Sequence, residues 1–110
     1  MEWNNLSTTE QIDDLIKESY NQKVAIFKHS TSCNVSKTAY DGLERDLKSF
    51  KEHKFGLYFL DLIRYRSVSN YIEEKLSVRH ESPQIIALEN GKVIYHESHF
   101  QIKAEALMSV

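Results

Sequence analysis

Two short apolar runs constrain this chain more than any other feature. They are Val24-Ala25-Ile26-Phe27 and Phe55-Gly56-Leu57-Tyr58-Phe59-Leu60-Asp61. The first, a short continuous apolar run, has the pattern of a strand buried on both faces, and the second reads as a parallel strand beside it. Between them Val35, Ala39, Leu43 and Leu47 recur every fourth residue, which lines one stripe of a helix. A strand, a helix and a strand in that order predict a right-handed parallel βαβ unit.

The remaining pattern extends the unit in both directions. Ser7-Thr8-Thr9-Glu10 reads as a capping box opening a first helix, with Ile12, Leu15 and Ile16 at helical spacing, Tyr20 one turn beyond, and Asn21-Gln22-Lys23 as its end. Ser67 is a candidate cap for a third helix that turns Val68, Tyr71, Ile72 and Leu76 inward. Then Ile85-Ile86-Ala87-Leu88 and Val93-Ile94-Tyr95 flank Asn90-Gly91, a hairpin signal because both turn positions tolerate positive φ. Ile102, Ala106 and Leu107 suggest a short closing helix. The predicted fold class is therefore α/β, three layers, with a mixed central sheet and helices on both faces. The element order is similar to the thioredoxin layout.

Composition narrows the function classes. The 110 residues are 41% apolar and 27% charged, which suits one domain over 1–110 that buries a core without staples. A net charge of −2 gives no sequence-wide basic field, so neither nucleic acid nor a membrane surface is an expected partner. The opening residues show no secretory pattern, and no apolar run approaches the roughly 18 residues of a membrane span. A cytoplasmic location is the expectation. There is a single cysteine, so no internal disulfide is open to this chain.

That cysteine, Cys33, follows the first buried run and precedes the helical stripe. Free N–H groups and the positive end of the helix dipole gather at such a point and favour a thiolate over a thiol. A cysteine so placed is expected to titrate well below the free value of about 8.5, and it is also a better leaving group. The other reading is a small, inert, buried residue. Its neighbours Ser30, Thr31, Ser32 and Asn34 are polar and argue for the reactive thiol. Ser36 stands where a Cys-x-x-Cys motif carries its second thiol. It can donate a hydrogen bond to a thiolate but cannot close a disulfide, although serine is also common in first turns for backbone reasons. Pro83, the only proline, lies in His80-Glu81-Ser82-Pro83-Gln84 just before a strand. It is either an ordinary trans residue at a strand start or, in a thioredoxin layout, a cis residue facing the cysteine. His29 and His80 are candidates to pair with the thiolate. His96 and His99 are spaced like a metal pair but bring no cysteine or full ligand set, so no metal site is expected.

With these motifs in view, the chain resembles the YtxJ-like monothiol bacilliredoxins, a thioredoxin-like family linked to the low-molecular-weight thiol bacillithiol. The matching stretches are Phe27-Lys28-His29-Ser30-Thr31-Ser32-Cys33-x-x-Ser36 and His80-Glu81-Ser82-Pro83-Gln84, together with the run ending in Asp61 and the Asn90-Gly91 turn. Asn34-Val35 stands where many redox motifs carry proline. The resemblance implies a thiol–disulfide oxidoreductase with Cys33 as nucleophile and Pro83 as a cis proline beside it, and its spacing from Cys33 makes Ser36 the expected catalytic companion. Ser32, Asn34, Ser82 and Pro83 are the expected substrate-binding residues, and by analogy with the thioredoxin fold the backbone at Ser82 is expected to pair with an extended segment. The resemblance implies no resident cofactor, with bacillithiol as co-substrate and bacillithiolated client proteins as partners. From another class, a monothiol carrier of an iron–sulfur cluster or a redox adaptor without turnover would share the same layout.

Overall fold

In the computed structural model, which describes residues 3–30, 34–47 and 55–110, the two apolar runs lie side by side. The elements in chain order are β1 (Asn4–Asn5), α1 (Thr9–Glu18), β2 (Val24–His29), α2 (Asn34–Leu47), β3 (Gly56–Asp61), α3 (Arg66–Leu76), β4 (Gln84–Glu89), β5 (Lys92–Ser98) and α4 (Ala104–Met108), with a 3-10 turn His99–Gln101 before the last. They build one five-stranded sheet of order β1-β3-β2-β4-β5. β1, β3 and β2 are parallel, while β4 and β5 run antiparallel. The sheet is mixed, as the sequence pattern predicts.

The strand period of two assigns the side chains of β2 to opposite layers. Val24 and Ile26 join Ile86, Leu88 and Leu60 against Ile12 and Leu15 of α1 and Val68 and Ile72 of α3. Ala25 and Phe27 join Ile85, Ala87 and Leu57 against Leu43 and Leu47 of α2 and Ala104 and Leu107 of α4. Continuing the alternation, Lys28 points to the first layer and His29 to the second. All six residues of β2 are buried.

Local chemistry moves several boundaries from their expected places. The capping box of α1 sits one residue later than predicted: Thr8 is the N-cap and Gln11, not Glu10, closes the box, because the Gln11 amide oxygen accepts the N–H groups of Ser7 and Thr8. The helix ends at Glu18, so Tyr20 lies outside its apolar stripe and is 63% exposed. Ser19 ends that helix and holds the hairpin instead, its carbonyl accepting from Asn90 N and its Oγ from Gly91 N. Asn90 and Gly91 take φ values of 54° and 75°, which explains the Asn-Gly pair. Ser67 is not the cap of α3. The helix already begins at Arg66, and the preceding turn is held by the Asp61 carboxylate, which accepts from Ile63 N and Arg64 N. β1 is too short for a periodicity signal. It forms because Asn4 and Asn5 can pair with Tyr58 and Phe59, and the Asn4 amide donates to Leu57 O.

Because Ile26 is wholly buried in the central strand, Ile26→Ala should cost about 2–5 kcal/mol in urea unfolding. Ile94→Ala, on the more exposed side of the edge strand, should stay within about 0.5 kcal/mol.

Candidate active site

Four segments meet at one end of the sheet. His29 ends β2 and lies opposite Asp61, which ends β3. Gln84 begins β4 and lies opposite Lys28, so Pro83 falls directly beyond the pair. α2 begins nearby at Asn34, which is exposed. Cys33 is the residue before Asn34 in sequence; Cys33 and Ser32 lie outside the described residues. The Ser82–Pro83 peptide is cis. Of the two readings of Pro83, the cis bond is the one observed; the cysteine it is expected to face lies outside the described residues.

Ser36 sits in the first turn of α2 and is completely buried. Its Oγ accepts the backbone N–H of Ser30, 2.9 Å away, and lies 2.7 Å from His29 Nδ1. The hydroxyl therefore ties the end of β2 to the start of α2, on either side of the segment containing Cys33. With the imidazole neutral and its proton on Nε2, Ser36 spends its one hydrogen on Nδ1. With Nδ1 protonated, the ring donates to Oγ and the hydroxyl hydrogen is released to another acceptor. His29 is walled in by aromatic rings, with Phe59 at 5.4 Å and Tyr40 at 5.8 Å between centroids. Burial lowers its pKa from 6.5, although the carboxylates of Asp61 and Asp41 pull the other way. The ring is thus held toward its neutral form.

The second histidine of interest, His80, has a different partner. Its Nδ1 is 3.0 Å from the ammonium of Lys28 and 3.3 Å from Ser69 Oγ. Closer to the cis bond, Pro83 O accepts the backbone N–H of His99, and Glu81 accepts from Ser98 Oγ. Ser82 Oγ is buried and has no hydrogen-bond partner among the described residues. Of the expected site residues, then, the fold brings Asn34, Ser36, Ser82 and Pro83 to the same end of the sheet. Among the described residues no three metal-ligating side chains gather.

Lys28 and Gln84 are polar residues at this end that the sequence reading did not single out. Strand alternation carried a usable signal, because it sets Lys28 on the face of Val24 and Ile26, where a charge is out of pattern.

Comparison with known proteins agrees with this geometry. The family described as monothiol bacilliredoxin BrxC matches residues 4–107. A solved structure described as a candidate oxidoreductase with a thioredoxin fold is 32% identical, with a TM-score of 0.82, over 96% of this chain and 90% of that one. Thioredoxin from Malassezia sympodialis is 18% identical with a TM-score of 0.73, covering 98% of this chain and 86% of that one. Thioredoxin from Schistosoma mansoni is 16% identical with a TM-score of 0.73, covering 98% and 94%. The last two share the fold alone.

The Ser36 node generates a stability test. Ser36→Ala removes the acceptor for Ser30 N–H and the partner of His29, and should cost about 1–3 kcal/mol in urea unfolding. The pH sign follows from His29. Because its folded pKa is lowered, the unfolded chain takes up a proton more readily, so stability from this group is present above about 6.5 and falls as pH drops below it. His29→Phe should flatten that part of the stability–pH curve.

Proposed function

The chain belongs to the monothiol bacilliredoxin family, and from that membership we propose that it removes bacillithiol from mixed disulfides on client proteins through Cys33. The coarser statement is direct: family and fold make this a thiol–disulfide oxidoreductase. The observation that carries the finer reading is position 36. It lies three residues after the only cysteine, in a first helical turn, fully buried, and it is a hydroxyl rather than a thiol. A mixed disulfide formed on Cys33 therefore has no internal thiol to resolve it and must wait for an external one.

The proposed cycle balances in two exchanges. The Cys33 thiolate attacks the bacillithiol sulfur of a client mixed disulfide. A sulfur–sulfur bond forms to Cys33, the bond to the client sulfur breaks, and the client leaves as a thiolate that takes a proton from water. A second bacillithiol thiolate then attacks the adduct, releasing Cys33 and giving oxidised bacillithiol, which a separate reductase returns to the thiol. The N-terminal end of α2 favours the thiolate of Cys33, both as attacker and as leaving group. Ser32 and Asn34 flank the thiol. The Ser82 backbone and cis Pro83 offer an extended client segment a place to pair. No described helix is long and apolar enough to cross a membrane, and a cytoplasmic setting, where thiols are kept reduced, fits the proposal.

Incubation with a bacillithiolated client protein, followed by intact mass measurement, tests this. The wild-type chain should gain one bacillithiol, the client should lose one, and Cys33→Ala should gain none. An adduct on Cys33→Ala, or no adduct on the wild type, would overturn the proposal.

A further inference from the structure

His29 and Ser36 meet on the second layer of the sheet. On the opposite layer lies a buried ammonium that the cycle above does not use. Lys28 is wholly buried on the face of Val24 and Ile26, and its cross-strand neighbour Gln84 is 1% exposed. Both side chains reach the same stretch of chain. Lys28 Nζ lies 3.0 Å from His80 Nδ1, and Gln84 Nε2 donates to Arg79 O at 3.0 Å. From α3, Glu73 accepts the backbone N–H of His80. With Ser69 Oγ of α3 lying 3.3 Å from the same His80 Nδ1, four contacts from three elements converge on residues 79–80, two residues ahead of the cis Ser82–Pro83 peptide.

We propose that Lys28 is a positioning residue: its buried ammonium, donating to His80 Nδ1, fixes the 79–83 loop and thereby the backbone against which a protein client pairs. The proposal rests on the bacilliredoxin reading only for what the loop does, not for how it is held.

An ammonium has donors and no acceptor lone pair, so this contact requires His80 to carry its proton on Nε2. Burying such a charge works against folding. Burial lowers the pKa of Lys28 from 10.5 to about 8; Glu73 opposes the shift and Arg66 adds to it. His80 is lowered as well, by burial, then by Lys28 and Arg66, against Glu73 and Glu81. Arg66 and Glu73 on α3, and His80 and Glu81 in the loop, are thus the charged or titratable groups facing Lys28 or its partner among the described residues. The sign is unfavourable at neutral pH. Between about 8 and 10.5 the unfolded chain holds a proton that the folded chain releases, so this group adds stability only as pH rises through that window. A methionine would fill the same space without the charge. The cation is therefore poorly explained as packing and well explained as a donor aimed at one loop.

Lys28→Met separates the two roles. At pH 7 the variant should be at least as stable as wild type, while amide exchange at residues 79–82 accelerates about tenfold, as the loss of a hydrogen bond to a charged group would allow. With a bacillithiolated protein client, KM should rise about tenfold and kcat stay within about twofold. With the mixed disulfide of bacillithiol and free cysteine as the small substrate, both should be unchanged. In wild type the ratio of the two KM values should climb above pH 8, where Lys28 loses its charge, and it should be flat in Lys28→Met. The ratio cancels the titration of Cys33, which both substrates share. Unchanged exchange in the loop, equal losses on both substrates, or core-wide acceleration with lowered stability would each overturn the proposal. If Lys28→Met does not fold, Lys28→Leu is read by the same criteria. If wild type reacts with neither substrate, the bacilliredoxin reading fails, while loop exchange still decides whether Lys28 holds the loop.

Discussion

The structure depends on β2 being buried on both faces. A strand with helices above and below must divide its side chains strictly between two layers, since a slip of one residue would exchange them. Val24 and Ile26 on one side, and Ala25 and Phe27 on the other, hold that register against α1 and α3 and against α2 and α4. Once it is held, the last two residues have no choice of direction. Lys28 must enter the α1/α3 layer and His29 the α2/α4 layer. Each then meets a polar partner at the end of the sheet, His80 for the first and Ser36 for the second.

The two sides of the site are thus fixed from one strand end. On one side, His29 and Ser30 engage the Ser36 hydroxyl and join β2 to the first turn of α2. On the other, Lys28 and its neighbour Gln84 reach the chain ahead of cis Pro83. Neither arrangement is cheap in stability, because a buried ammonium and a buried imidazole both resist the charged form, as their lowered pKa values indicate. Polar groups concentrated at the end of an otherwise apolar strand are expected where geometry at a reaction site outweighs stability.

Much of this was legible in the residues. Continuous apolar runs identified β2 and β3, the four-residue stripe identified α2, and Asn90-Gly91 located the hairpin between β4 and β5. The thioredoxin-like order followed from these alone. What was not legible has local causes. β1 has two residues, too few for any period, and exists through its pairing with β3. Tyr20 matched the helical stripe of α1, yet Ser19 ends that helix to grip the Asn90-Gly91 turn. At the site, position in the chain drew attention to Ser36, His29 and His80 but could not pair them. That His29 serves Ser36 while His80 serves Lys28 is decided by which face of β2 each partner meets, a tertiary fact.

The central claim of the proposed function is that the chain works through one thiol, with a hydroxyl at position 36 where a dithiol motif carries its second. Ser36→Cys tests it most directly. If residue 36 shares a helical face with Cys33, the introduced thiol should expel bacillithiol from a Cys33 adduct without any external thiol. Intact mass should then show an internal disulfide, lighter than the dithiol form by about 2 Da, the loss of two hydrogens. A variant that keeps a stable bacillithiol adduct and never forms the internal bond would contradict the account.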